Sequence, residues 1–129
     1  MSNQLEQVRD FLQAPNLAHF ATLMPDGRPT SVPLWVGLED ERLAVLTIGD
    51  SIKDRNIRRD PRVALSLTPT DNPYQMASIR GRVVERIDGE RAWPIIDRIA
   101  QKYTGQPYPE RSNRVVFLIE AEVAWSASF

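Results

Sequence analysis

The residues best able to do chemistry lie in one run, Thr47-Ile48-Gly49-Asp50-Ser51-Ile52-Lys53-Asp54-Arg55-Asn56-Ile57-Arg58-Arg59-Asp60-Pro61. Ser51 followed three residues later by Asp54 is a capping-box-like helix start. A helix N-terminus exposes unpaired backbone N–H groups and the positive end of the dipole, so it attracts anions. Lys53 falls in that first turn, where a cation opposes the dipole unless an anion sits there. From Asp50 to Arg62 five basic residues face three acidic ones, a local excess of +2 in a chain of net −1. The chemistry this pattern fits is a phosphate seat made by Thr47, Ser51, Lys53 and backbone N–H groups, with Asn56 one turn further on. The same spacing also fits a plain surface helix, with Asp54 and Arg58 as an i,i+4 ion pair and Lys53, Arg55 and Arg59 as a solvated face. Neither GxGxxG nor GxxxxGK[ST] occurs, so this is not a standard nucleotide loop.

The rest of the chain offers little catalytic equipment. There is no cysteine, which excludes disulfides, thiolate metal sites and a thiol nucleophile. One histidine, His19, excludes a multi-histidine metal site, and its apolar strand reads as a structural setting. The carboxylates fall in turns and on helix faces, so no acid/base pair is visible. If the protein is an enzyme, a bound cofactor must supply the hard chemistry. Trp35, Tyr74, Trp93, Tyr103 and Trp125 could cover a planar ring, or simply pack.

Positioning such a seat takes a folded domain, and 129 residues, 42% hydrophobic and 26% charged, suffice for one domain spanning 1–129. With 16 basic and 17 acidic residues and a pI near 5.8, a nucleic-acid binder working by bulk charge is disfavoured. No apolar run approaches the length of a membrane span. The first residues carry no basic and apolar regions of a signal peptide, so the cytoplasm is the expected compartment.

The elements follow from periodicity and turn residues. Leu5, Val8, Phe11 and Leu12 predict a helix over Ser2 to Gln13, capped by Ser2 or Asn3. Strands are expected at Ala18–Met24, Pro29–Leu38, Leu43–Ile48, Val63–Thr68, Gln75–Ile87 and Asn113–Trp125. Pro25-Asp26-Gly27-Arg28 reads as a hairpin turn. A short helix should run from Ser51 to Asp60, where Pro61 stops it. A longer one should run from Gly89 to Tyr103, with Pro94 near its start. Gly81 suggests a bulge. The expected fold is mainly β: a six-stranded antiparallel Greek-key barrel with peripheral helices.

Ala21-Thr22-Leu23, Pro25-Asp26-Gly27-Arg28-Pro29 and Val32-Pro33-Leu34-Trp35 precede the block from Lys53 to Leu65. Gly81 and Lys102-Tyr103-Thr104-Gly105 follow it. In this order the chain resembles the pyridoxamine 5′-phosphate oxidase-like split-barrel superfamily, and within it the small flavin- or deazaflavin-dependent oxidoreductases. The resemblance implies a homodimer with two cofactor sites in the interface. It implies that the cofactor phosphate lies on the stretch from Thr47 to Asn56, with Lys53 as the main contact. The ring would lie along the backbone of Ser31, Val32, Pro33 and Leu34, and the partner would close the site with Tyr74, Gln75 and Met76, near Trp125. Some relatives carry a basic residue two positions before the lysine; here it is Ser51, so hydroxyl and backbone donors, or Arg55, would share the load. The implied cofactor is the deazaflavin coenzyme F-420, with FMN as the alternative. The implied reaction is hydride transfer to a small organic substrate, with no metal. A carrier that binds a flavin, deazaflavin or tetrapyrrole without turnover is the rival reading.

Overall fold

The computed structural model describes residues 3–129; Ser2, an expected helix cap, lies outside the described residues. The first helix is two short ones, α1 (Asn3–Glu6) and α2 (Arg9–Gln13), rather than the single helix expected. They divide where Val8 N–H donates to Leu5 O, a bond spanning three residues instead of four. Leu5, Val8 and Leu12 still reach the core together.

Seven strands follow the expected hairpin logic, one more than the sequence pattern suggests. They are β1 (Ala18–Leu23), β2 (Pro29–Leu34), β3 (Val36–Glu39), β4 (Arg42–Ile48), β5 (Arg62–Leu67), β6 (Gln75–Ile87) and β7 (Arg114–Ser128). The extra strand comes from a break at Trp35, inside the expected strand from Pro29 to Leu38. Before it the chain pairs with β1; after it the chain pairs with β4.

That break closes the fold. The strands form one antiparallel sheet in the order β2-β1-β5-β6-β7-β4-β3. Its two outermost strands, β2 and β3, are joined covalently through Trp35 alone. The sheet therefore curls until its ends nearly meet, giving a barrel split at one seam. Gly81 sits at a register shift against β7, and a Cβ there would run into the Glu120 carbonyl oxygen. This is the expected bulge, and it helps the long strand bend.

Phe20, Val36, Leu43, Val45, Leu65, Ile79, Phe117 and Ile119 fill the barrel. Helix α3 (Ile52–Arg59) caps one end and adds Ile57 to this core. Helix α4 (Trp93–Thr104) follows a 3-10 turn at Gly89–Ala92, has Pro94 in its first turn and ends at Gly105 in a left-handed conformation, φ 74°. Its Ile96 and Ile99 pack on the outside of the sheet against Ala44, Ile87, Val116 and Leu118. Val115 to Ile119 are all buried because the barrel core covers one face of β7 and the α4 cluster the other.

Candidate functional site

The turn from Ile48 into α3 is held by a small set of polar bonds. Ser51 is the N-cap, and its Oγ accepts from Asp54 N–H at 3.2 Å. Thr47 Oγ1 lies 3.0 Å from Ser51 Oγ. That bond uses one of the two hydroxyl hydrogens and leaves the other for a ligand. Asp50 is left-handed, φ 65°, and its N–H donates to Asp54 Oδ2 at 2.7 Å. Ile52 N–H and Lys53 N–H, at the first two helical positions, find no acceptor among the described residues. These are the orphan donors that make a helix N-terminus attractive to anions.

The charges divide sharply. Arg58 donates to Asp50 Oδ1 at 2.8 Å, and Arg62 pairs with Asp60 at 2.7 Å. Arg59 donates to Leu23 O and Asn56 Oδ1. Lys53 and Arg55 make no ion pair among the described residues. Asp54 is not the exposed partner of Arg58 that its spacing suggests. Its side chain is fully buried, 0% exposed, and receives both arms of the Arg86 guanidinium at 2.8 Å each. Arg58 stands further off, at 3.6 Å. The hydrogen bond from Arg86 holds the Asp54 carboxyl below the usual carboxylate range, against the opposing effect of burial. Arg86, 32 residues away on β6, has no signal in the local sequence; only the register of the sheet brings it here.

Asn56 is 2% exposed, and its amide donates to Thr22 Oγ1 at 3.0 Å, tying α3 to β1. Its polar atoms are thus taken up inside the fold. Ile48 and Ile52, by contrast, flank the seat half exposed, an apolar rim around the free cation.

Strand β2 presents an open edge, because β1 is its only neighbour in the sheet. The turn before it fixes which groups face outward. Gly27, φ 88°, donates to Met24 O, and Met24 N–H donates to Arg28 O, both at 2.8 Å. This is a three-residue hairpin loop with a glycine bulge. Met24 and Arg28 are thus a bonded position, and bonding alternates along the pair. Thr30 and Val32 point their backbone groups at β1, whereas Pro29, Ser31 and Pro33 point theirs away. Two of those three lack an N–H, so Ser31 N–H is the single donor on this edge between two prolines, with carbonyls on either side. Such an edge resists pairing with another strand but can hold a ring bearing both donors and acceptors.

The crossing at Trp35 brings β2 to the seat. Val36 pairs with Val45, and Leu34, Trp35 and Leu46 line one small hollow, so the end of β2 lies near the part of β4 that leads into α3. The Leu34 end of that edge and the α3 turn thus lie at the same end of β4. Tyr74, Gln75 and Met76 do not join them within one chain. Thr22, bonded to Asn56, is level with Gly81 of β6 through the β1–β5–β6 register. Tyr74 precedes Gly81 by seven residues, which places it about 20 Å away along the strand. Tyr74 is 67% exposed there, and Trp125 of β7 is exposed opposite Ser78. His19, read from its apolar strand as structural, is exposed on the outside of β1. Beside it the outer face of β1, β5 and β6 carries a hollow of about 370 Å³ lined by Ala21, Leu23, Pro29, Ala64 and Arg80, with no helix over it. Among the described residues no group of three or more His, Cys, Asp or Glu could hold a metal. No helix among them is long and apolar enough to cross a membrane.

Residues 5–127 match the family model described as pyridoxamine 5′-phosphate oxidase. The chain belongs to that family. No curated protein matches it. Among solved structures it is similar to an F420 reductase, at 27% identity and TM-score 0.79, with 90% of this chain and 94% of the other covered. It is similar also to a conserved hypothetical protein from Mycobacterium tuberculosis, at 27% identity and TM-score 0.77, covering 99% and 85%. A FAD-binding protein from Mesorhizobium loti shares the fold at 21% identity and TM-score 0.68, covering 95% and 91%. The family match and these neighbours make the fold a split barrel of the pyridoxamine 5′-phosphate oxidase type.

Proposed function

We propose that this family member is an oxidoreductase. It binds the deazaflavin coenzyme F-420, or FMN in its place, between two copies of the chain and serves hydride transfer to a small organic substrate. The observation that carries this reading is the unclaimed Lys53 ammonium. It stands with two orphan N–H groups and a spare hydroxyl hydrogen beside an open strand edge with one donor. Phosphate would sit on Lys53, Ser51 and Thr47, with Arg55 free to reach it. The ring would lie along Ser31, Val32, Pro33 and Leu34. The coenzyme supplies the hydride chemistry when bound; the chain binds it, orients it and excludes strand pairing at the edge. The homodimer implied by the family resemblance fits this reach: Tyr74, Gln75 and Met76 would meet a ligand on this seat only if a second copy brought them. The helix-free outer face beside Ser31 leaves room for that copy.

The F420 reductase among the structural neighbours supports the deazaflavin over FMN. The open edge, which carries backbone and proline rather than an acid or base, favours a second reading as a carrier without turnover. Fluorescence titration with each coenzyme tests the seat. Replacing Lys53 by Ala removes a charge-assisted contact worth about 1.5–3 kcal/mol, so affinity should fall about ten- to a hundredfold. Equal binding by wild type and Lys53→Ala sinks the assignment. Oxidation of reduced coenzyme by a panel of quinones, enones and nitro compounds separates enzyme from carrier.

A further inference from the structure

The bonds around Asp54 pose an electrostatic problem next to an anion seat. The left-handed turn at Asp50 needs an acceptor for its N–H, and Asp54 Oδ2 is that acceptor. The acceptor is also a fully buried carboxylate, adjacent in sequence to the cation that faces the ligand. A bare negative charge there would repel a phosphate through a poorly screening interior. Arg86 of β6 answers both arms of that carboxylate at 2.8 Å. Arg58 adds less, because it stands 3.6 Å from Asp54 and is bonded to Asp50. Asp88, 3.4 Å from Arg86, is exposed.

Resting on the seat proposed above, we propose that Arg86 is a positioning residue for anion binding. By cancelling Asp54 it lets the α3 turn keep its acceptor while presenting net positive charge through Lys53. Arg86 touches no ligand itself. Its effect is read in how binding depends on the charge of Asp54.

The charged and titratable groups facing Asp54 are Arg86, Arg58 and Asp50, with Asp88 behind Arg86 and Lys53 on its own helix. In the wild type Asp54 stays ionised and neutralised throughout the neutral range, so it adds no pH dependence. In Arg86→Met the stranded carboxylate moves up toward neutrality. At pH 8 it is ionised and unanswered, and F-420 or FMN should bind about tenfold or more weakly than to wild type. Toward pH 5 it takes up a proton, and the ratio of the two affinities should approach one.

The experiment is isothermal titration of wild type, Arg86→Met and the double variant Asp54→Asn/Arg86→Met, from pH 5 to 8. The double variant removes both charges and keeps an amide oxygen for Asp50 N–H; it should bind within about threefold of wild type at pH 8. A single variant that binds as tightly as wild type at pH 8 overturns the inference. So does a double variant as weak as the single one with no pH dependence, since that marks a purely structural role. If Arg86→Met does not fold, the double variant and Arg86→Lys carry the comparison, and a tenfold loss in both at every pH overturns it. A wild type that binds neither coenzyme overturns the seat and this inference together, whereas every outcome above presupposes that wild type binds.

Discussion

Two lysines sit at the ends of two helices, and the fold treats them oppositely. Lys53 lies in the first turn of α3, where it works against the helix dipole, and no carboxylate or carbonyl among the described residues claims it. Lys102 lies in the last turn of α4, where a cation suits the dipole. Its Nζ donates to Leu12 O at 2.6 Å and, more closely still, to Val36 O, and it stands 4.8 Å from the centre of the Tyr103 ring. Lys102 thereby ties α2, β3 and α4 together at the seam of the barrel. A lysine bonded to two backbone carbonyls inside the chain is part of the structure. A lysine held in an unfavourable place with nothing to bind is waiting for something from outside.

The contrast is broken most directly at Lys102. Lys102→Met keeps the stem but orphans two backbone carbonyls, which should cost about 2–3 kcal/mol and lower Tm by about 10 °C. Coenzyme affinity measured below that Tm should not change. Burial pushes the Lys102 ammonium down to about 8, below its unfolded value of about 10.4. Between those values the unfolded chain holds a proton that the folded chain has released, so this group's contribution makes stability rise with pH. The Tm of wild type relative to Lys102→Met should therefore climb from pH 8 to 10. A flat difference, or an unchanged Tm, removes Lys102 from the structural side of the comparison.

Tyr103 should come next in size. Its hydroxyl donates to Asn16 O at 2.6 Å and accepts from Val36 N–H at 3.1 Å, and its ring stacks on Trp35 at 5.1 Å. Tyr103→Phe keeps the stack and strands both backbone groups, so it should cost about 1–2 kcal/mol in a denaturant titration. If it costs nothing, the break at Trp35 does not depend on α4 for its support.

The seam shows why the sequence was readable in part. Hairpin turns, the bulge at Gly81, the helix stop at Pro61 and the start at Pro94 are local, and each has a residue that enforces it. The break at Trp35 is not local. The stretch Pro29 to Leu38 alternates well enough for one strand, and only pairing with β1 on one side of Trp35 and β4 on the other divides it. The same holds at the site. Ser51 announces its cap and Lys53 its place in the first turn, because both follow from helix position. Asp54 has a local partner at Arg58 that hides its bidentate one at Arg86, and nothing local shows that Asn56 donates to Thr22 and accepts from Arg59.

The smallest effect expected is also the one that most sharpens the comparison. Without ligand, Lys53→Ala removes a cation that the helix dipole opposes and breaks no bond, so it should raise stability by about 0.3–1 kcal/mol, or roughly 1–4 °C in Tm. The gain should shrink in high salt, since the seat is open to solvent. Saturating coenzyme should reverse the order. A ligand present at 100 times its Kd adds about 2.7 kcal/mol to wild type, and far less to a variant that binds it ten- to a hundredfold more weakly. Thermal melts of both proteins, with and without F-420 or FMN, thus read a crossing of two small differences. If Lys53→Ala is less stable than wild type in the absence of ligand, Lys53 belongs with Lys102, and a cation poised for something external is the wrong description of it.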